Sequence, residues 1–165
     1  MKKFKNKLSN FFKWVKGANI VELDYIDVNE DPVRPELDLK FRLENNRKIY
    51  GLEYKDNIEG ITCVAMCSEV PKSTRALEKF SSDAKEKHTA IAYTVWSRKR
   101  GAGKVLLDKL KKHLEKNTSA KRFLTLSPLT PVATHFHIKN GARCLSINSN
   151  TQNFEYELNK RGKNE

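Results

Sequence analysis

The stretch at residues 93–110 reads YTVWSRKRGAGKVLLDKL. Its first part continues an apolar run that begins at His88, and such a run, rich in β-branched and aromatic residues, predicts a strand over 88–96. Its last part repeats apolar residues three and four positions apart with lysines between them, which predicts an amphipathic helix over 103–117. A basic turn with two glycines separates the two elements. Strand, glycine turn and helix in this order predict an α/β domain.

The turn has the features of an anion-binding site. Glycines let the backbone approach a ligand closely, and the free N–H groups of a helix N-terminus favour negative charge. Four basic side chains add positive charge: Arg98, Lys99, Arg100 and Lys104. The stretch is not a P-loop, because Val105 stands where Ser or Thr is required, and Leu106 replaces the third glycine of a dinucleotide fingerprint. Spacing alone leaves two interpretations open, a phosphate cradle and a tight turn with solvated lysines.

The rest of the chain alternates between strands and helices. Apolar and β-branched runs predict five further strands, at 47–54, 60–70, 122–127, 142–148 and 153–158. We expect a turn around 56–60 to join the first two. Residues 71–87 are polar and indicate an exposed helix or loop. A helix is predicted over 131–140, because Thr130 suits the N-cap, Pro131 the first helical position and Gly141 the stop.

Length and composition limit the function. A chain of 165 residues suits one domain. Its formal net charge of +12 fits anionic ligands, and we expect small anions rather than nucleic acid. Cys63, Cys67 and Cys144 lack metal-ligand spacing, so we expect no metal site and reduced cysteines in core or strand positions. With no apolar run long enough to span a bilayer, these features predict a cytoplasmic protein.

Residues 1–17 form a separate basic segment, MKKFKNKLSNFFKWVKG, with six lysines and no acidic residue. Apolar side chains recur at helical spacing from Phe4 to Val15, which predicts a basic amphipathic helix. Such a helix can bind an anionic membrane surface or a protein partner. We favour the simpler expectation that its apolar face packs on the remaining domain, residues 18–165, or on a second subunit.

The spacing of Arg98, Gly101 and Gly103 after a strand resembles the pyrophosphate loop of the GNAT acyltransferase superfamily, whose members bind coenzyme A. The order of elements from 47 to 158 is also similar to that fold. The resemblance implies a mixed sheet flanked by helices, with strands 88–96 and 122–127 splayed apart around the pantetheine arm. It implies that coenzyme A contacts the main chain of Tyr93 and Val95 and the loop residues Arg98, Lys99, Arg100, Gly101, Ala102, Gly103 and Lys104.

A narrower resemblance covers residues 37–158. The segments FLTLSP (123–128) and FHIKNGARCLSIN (136–148) are similar, together with 93–110, to the catalytic domain of malonyl-CoA decarboxylase, itself a GNAT-fold enzyme. By position, the resemblance implies that Ser127 and His137 are the catalytic pair. This chain departs from the family after Asn148, where an acidic and glycine-rich stretch is shortened to SNTQ.

The chemistry of the pair is consistent with that assignment. Decarboxylation of malonyl-CoA to acetyl-CoA and carbon dioxide needs a donor for the enolate oxygen and an acid for the carbon, and His137 with Ser127 can supply both. His135 lies roughly 200° around the helix from His137 and cannot face the same cleft. One alternative function is an N-acetyltransferase using acetyl-CoA, for which we find no clear base. Another is a non-catalytic module that binds a partner through residues 1–17.

Overall fold

A computed structural model describes residues 2–159 of the chain, so Met1 and the last part of the predicted domain, 160–165, lie outside it. Within this range the α-helices are α1 Lys2–Gly17, α2 Leu39–Leu43, α3 Thr74–Ser82, α4 Ala102–Asn117 and α5 Pro131–Lys139. The strands are β1 Asn19–Leu23, β2 Arg47–Tyr54, β3 Asn57–Cys67, β4 Thr89–Ser97, β5 Arg122–Thr125, β6 Ser127–Pro128, β7 Arg143–Ile147 and β8 Thr151–Tyr156. None of the described helices is long and apolar enough to cross a membrane.

The eight strands form one mixed sheet in the order β1-β2-β3-β4-β5-β8-β6, with β7 on β8. All neighbours are antiparallel except β4 and β5, which are parallel and joined through α4. This arrangement confirms the predicted α/β fold with a mixed sheet flanked by helices.

The turn between the first two predicted strands was misplaced. β2 and β3 are joined by Lys55 and Asp56 alone, which have φ of +48° and +64°. Two left-handed residues make a tight hairpin whose twist matches that of the strands. Gly60 lies inside β3 instead of the turn, and a Cβ there would stand 3.3 Å from Leu106 of α4. The glycine therefore reflects close packing between the sheet and α4.

The remaining local elements were predicted in part. β1 and α2 were not predicted, and both are only five residues long. The polar segment 71–87 contains α3, whose N-cap Ser73 accepts from the amide of Ala76. The predicted strand 122–127 is interrupted at Leu126: β5 pairs with both β4 and β8, whereas β6 pairs with β8 alone. Short elements carry too few periods for a pattern to identify them.

β4 and β5 separate as expected. They pair only from Thr89 to Ala92, and the amide of Leu126 makes the last rung by donating to the carbonyl of Ala92 at 3.0 Å. Just beyond this point Tyr93 is an extra residue in β4, since Thr94 pairs with Cys63 while Ala92 pairs with Val64. Such a bulge bends the strand locally and ends regular pairing.

The sheet has a core on each face. On one face, residues such as Ile61 and Ile91 pack against Leu77 of α3 and the segment before β2. On the other face, Ala92 and Phe154 pack with the buried leucines of α4 and with Phe136 of α5. Successive strand residues point to opposite faces, so this three-layer packing explains the continuous apolar runs of the central strands. Cys63 and Cys67 lie in the first core, as predicted.

Candidate functional site

A cavity of about 530 Å³ opens where β4 and β5 separate. The β4 segment 92–97 lines one side, and residues 126–128 with α5 line the other. Ser127 and His137 both belong to this lining, as do Tyr93, Val95 and Gly103. No Asp, Glu, Lys or Arg occurs among the described lining residues. The site is thus an apolar, uncharged cleft with a few polar groups.

The helix that carries His137 begins and ends as the sequence predicts. The Thr130 side chain accepts from the amide of Ala133, Pro131 occupies the first turn, and Gly141 follows the helix with φ +93°. This phase buries His137, which is 5% exposed, and leaves His135 exposed on the outer face. The imidazole stacks on Phe154 of β8 with ring centroids 5.1 Å apart.

Tyr156 of β8 lies at the Nδ1 edge of the imidazole ring. Its hydroxyl lies 2.7 Å from Nδ1 of His137, and this is the one hydrogen bond that the phenol makes within the described chain. A buried hydroxyl needs an acceptor for its proton, and Nδ1 is the acceptor in reach. We infer that Tyr156 donates to Nδ1, so the neutral imidazole carries its proton on Nε2, which has no partner among the described residues.

Burial governs the protonation of both side chains. It lowers the pKa of His137 to about 4, because the cation would lose its hydration in this apolar site. Burial likewise raises the pKa of Tyr156. At neutral pH the pair is therefore a neutral imidazole and a neutral phenol. An imidazole in this state is a weak base, and its N–H is a hydrogen-bond donor.

Ser127 reaches the cavity from the first position of β6. Its hydroxyl donates to the Thr125 hydroxyl at 2.9 Å, and Thr125 Oγ1 also accepts from the amide of Phe154. No hydrogen bond joins Ser127 to His137 in the described structure. The two predicted catalytic residues are thus brought to one cavity without forming a bonded dyad.

Arg34, which sequence reasoning missed, spans the point of separation. Its Nε donates to the carbonyl of Tyr93 at 2.8 Å, and its Nη2 donates to the carbonyl of Leu126 at 3.1 Å. One guanidinium thus satisfies two carbonyls that strand pairing leaves without partners. Arg34 is itself positioned by Asp31, a fully buried carboxylate that accepts from the Arg34 amide and pairs with Arg42. No local pattern marks a loop arginine as a partner of two strands.

The loop between β4 and α4 presents free amides. Gly101 precedes α4 with φ +84°, a left-handed conformation that favours glycine. In the described structure the amides of Lys99, Arg100, Gly101, Gly103 and Lys104 have no acceptor. Unpaired amides at a helix N-terminus form an anion-binding surface.

The side chains of the predicted coenzyme A loop differ in exposure and in their partners. Arg100 and Lys104 are exposed, whereas Arg98 is paired with Glu30. The Lys99 ammonium lies 4.4 Å from the ring centroid of Trp14 in α1. Ala102 is fully buried beneath α1, so only its backbone can face a ligand. The loop therefore offers two uncommitted cations beside its amides.

The structure shows a packing role for Gly103 that the sequence does not predict. A Cβ at this position would stand 3.0 Å from Cε2 of Phe136, inside the cavity lining. Packing of α5 against the start of α4 therefore leaves little room for a side chain at this position, whatever binds at the loop. Of the predicted coenzyme A contacts from Arg98 to Lys104, Gly103 alone lines the cavity that His137 lines. Within residues 2–159, no cluster of His, Cys, Asp and Glu suits a metal ion.

Comparison with known proteins identifies solved structures of similar fold. No family model and no curated protein sequence matches the chain. The malonyl-CoA decarboxylase of Agrobacterium vitis superposes with a TM-score of 0.61 at 18% identity, over 78% of this chain and 38% of that one. The Cupriavidus metallidurans malonyl-CoA decarboxylase gives 0.54 at 22% identity, over 79% of this chain and 36% of that one.

A GNAT family acetyltransferase from Elizabethkingia anophelis, solved with acetyl-CoA, gives a TM-score of 0.53 at 13% identity. The match covers 86% of this chain and 99% of that one. The chain therefore spans the full length of an acetyltransferase but little more than a third of the decarboxylases. Identities this low establish architecture and not activity. Together with the parallel β4–β5 pair that splays beyond Ala92, they show that this chain has the GNAT fold.

Proposed function

We propose that this protein decarboxylates malonyl-CoA, giving acetyl-CoA and carbon dioxide. The observation that carries the proposal is an uncharged cavity in which His137 presents a neutral imidazole beside Ser127. The similarity to the two malonyl-CoA decarboxylase structures supports it. The loop and the strands support a position for the substrate, and Ser127 and His137 support the chemistry.

The coenzyme A portion would bind along β4. Its pyrophosphate would accept from the free amides near Gly101 and pair with Arg100 and Lys104. The pantetheine arm would run past the main chain of Val95 and Tyr93, where β4 has no neighbouring strand on the β5 side and where Arg34 already occupies the carbonyl of Tyr93. This path would bring the thioester between Ser127 and His137, which both line the cavity.

The reaction requires a bond to break between two carbons. The electron pair of the bond to the carboxylate moves to the thioester carbonyl, so carbon dioxide leaves and an enolate forms. The Nε2–H of His137 would hold the enolate oxygen, and the Ser127 hydroxyl would orient the carboxylate. An uncharged lining favours this step, because the carboxylate charge disperses as carbon dioxide departs. The neutral imidazole and the serine hydroxyl are too weakly acidic to give up a proton, so the carbon gains its one proton from solvent.

Acetyl transfer to an amine fits the site less well. An attacking amine must lose a proton, and no carboxylate is present among the described cavity residues. His137, whose pKa is lowered to about 4, is too weak a base to serve near neutral pH. The acetyltransferase and the non-catalytic module are the outcomes against which the proposal is tested.

The test is turnover of malonyl-CoA in the absence of any acceptor. We expect release of carbon dioxide with equimolar acetyl-CoA, measured by chromatography, and loss of this activity in His137→Asn. Acetylation of an amine without consumption of malonyl-CoA would replace the proposal with acetyl transfer. Tight binding of coenzyme A with neither reaction would identify a binding module.

A double substitution of Arg100→Ala with Lys104→Ala tests the placement of coenzyme A. We expect the Kd for coenzyme A to rise at least tenfold, about 1.4 kcal/mol, as measured by calorimetry. Lys112→Ala with Lys116→Ala removes the same charge from the exposed side of α4 and is the matched control. Equal losses in both variants would contradict a pyrophosphate site at the loop.

A further inference from the structure

The helix α1 is largely unpartnered. Of the residues Lys2–Gly17, only Trp14 is buried, where it packs with Ala18, Leu52 and the start of α4. The rest of the apolar face extends beyond this attachment, and Phe4 is 73% and Phe12 62% exposed. The expectation that this face packs on its own domain therefore holds only for its last turn. Three turns of apolar surface face solvent.

These side chains form one stripe. Residues three or four apart in a helix lie on the same side, and Phe4, Leu8 and Phe11 follow that spacing as far as Trp14. Phe12 lies four residues after Leu8 and widens the stripe on the side away from Trp14. The stripe is therefore a continuation of the surface that anchors α1 to the domain. Because the anchored turn fixes the direction of the helix, the exposed stripe is presented in a defined orientation.

The charge around the stripe has a single sign. Residues 1–17 contain six lysines and no acid, and none of the lysines from Lys2 to Lys16 pairs with a described carboxylate. The basic loop adjoins the last turn, where Lys99 contacts Trp14. A second copy of this helix would bring like charges together across the stripe. An anionic surface, in contrast, is complementary in charge and accepts apolar side chains.

We propose that α1 docks this protein on an anionic lipid surface. Phe4, Leu8 and Phe12 enter the boundary between headgroups and acyl chains, and the lysines contact the anionic headgroups. Large aromatic residues on one face and lysines on the other are the combination that an interfacial helix requires. Attachment through Trp14 holds the rest of the protein at the surface. This proposal does not depend on the catalytic activity.

The test is co-sedimentation of the full chain with vesicles. We expect binding to phosphatidylcholine vesicles with about 30% phosphatidylserine, little binding to phosphatidylcholine alone, and loss of binding between about 0.05 and 0.5 M salt. Phe4→Ser with Phe12→Ser should reduce the bound fraction at least tenfold. Tyr25→Ser removes another aromatic side chain, 69% exposed, and should bind as the unchanged protein does.

Charge is tested in the same way. Lys3→Glu with Lys7→Glu should abolish binding, whereas Lys112→Glu with Lys116→Glu, the same change of charge on α4, should reduce it far less. Circular dichroism and coenzyme A binding confirm that each variant is folded. Absence of vesicle binding by the full chain overturns the proposal, as does equal binding to neutral vesicles. Dimerisation without lipid that Phe4→Ser and Phe12→Ser abolish would assign the stripe to a second copy instead.

Discussion

The hydroxyl of Tyr156 and Nδ1 of His137 are 2.7 Å apart and join β8 to α5. This bond determines which nitrogen of the imidazole carries the proton. It also leaves the unbonded Nε2 for a ligand. The proposed chemistry depends on that choice, because a neutral imidazole can donate to an enolate oxygen only from a protonated nitrogen.

Replacing His137 tests the proposed donor. His137→Asn should lower turnover of malonyl-CoA on the order of 10²-fold, the usual loss when one donor to a developing oxyanion is removed. Affinity for coenzyme A should change little, because the loop amides are intact. Ser127→Ala should show the same pattern more mildly. His135→Asn is the control on the exposed face, and a larger effect there than at 137 would contradict the assignment.

Replacing Tyr156 tests its effect on the imidazole. Tyr156→Phe retains the ring that stacks on Phe123, with centroids 5.4 Å apart, and removes only the donor to Nδ1. We expect turnover to fall and its pH profile to shift, because the imidazole loses its preferred tautomer. A buried acceptor without a partner should also lower the free energy of unfolding by about 1–3 kcal/mol. Unchanged turnover and pH profile would show that the phenol does not position the imidazole.

Stability should depend on pH through His137. In the unfolded chain its pKa is near ~6.5, whereas burial lowers the folded-state pKa to about 4. Between these values the unfolded state binds a proton that the folded state does not, so the free energy of unfolding falls as the pH decreases. The gap corresponds to a loss of about 3 kcal/mol, complete below pH ~4.

Urea unfolding at about pH 7, 5.5 and 4 measures this dependence. His137→Asn should lose less stability over the same interval, because the titrating group is gone while the other histidines remain. Equal losses in the variant and the unchanged protein would show that His137 does not titrate in this way.

Gly103→Ala separates packing from ligand contact. The new Cβ would press on the edge of the Phe136 ring at 3.0 Å, so the ring should turn into the cavity and weaken binding of malonyl-CoA. Phe136→Leu, which shortens the neighbour, should restore binding in the double variant. A loss of coenzyme A affinity that Phe136→Leu does not restore would assign the close approach at 103 to the phosphate.

Local patterns were sufficient for much of this structure. The helix from Pro131 was predicted because capping and proline effects act within one turn, and α4 was predicted because its apolar spacing persists over several turns. The helical phase also separated His135 from His137. The hairpin turn was predicted around 56–60 instead of at Lys55 and Asp56, because neither of these residues is glycine although both adopt positive φ.

Other features depend on residues far apart in the chain. Arg34 bonds Tyr93 and Leu126, which lie 59 and 92 positions away, and no short-range signal connects them. Burial against Phe154 of β8 lowers the pKa of His137, and the hydroxyl of Tyr156 selects its tautomer. The space at Gly103 is limited by Phe136 of α5. The sequence by itself determined the spacing of apolar residues in the helices, the helix caps, and the residue types at the loop and at the candidate catalytic positions. These features act over a few neighbouring residues. Only the tertiary structure decided burial, protonation and the exposed stripe of α1, because each depends on which distant surfaces meet.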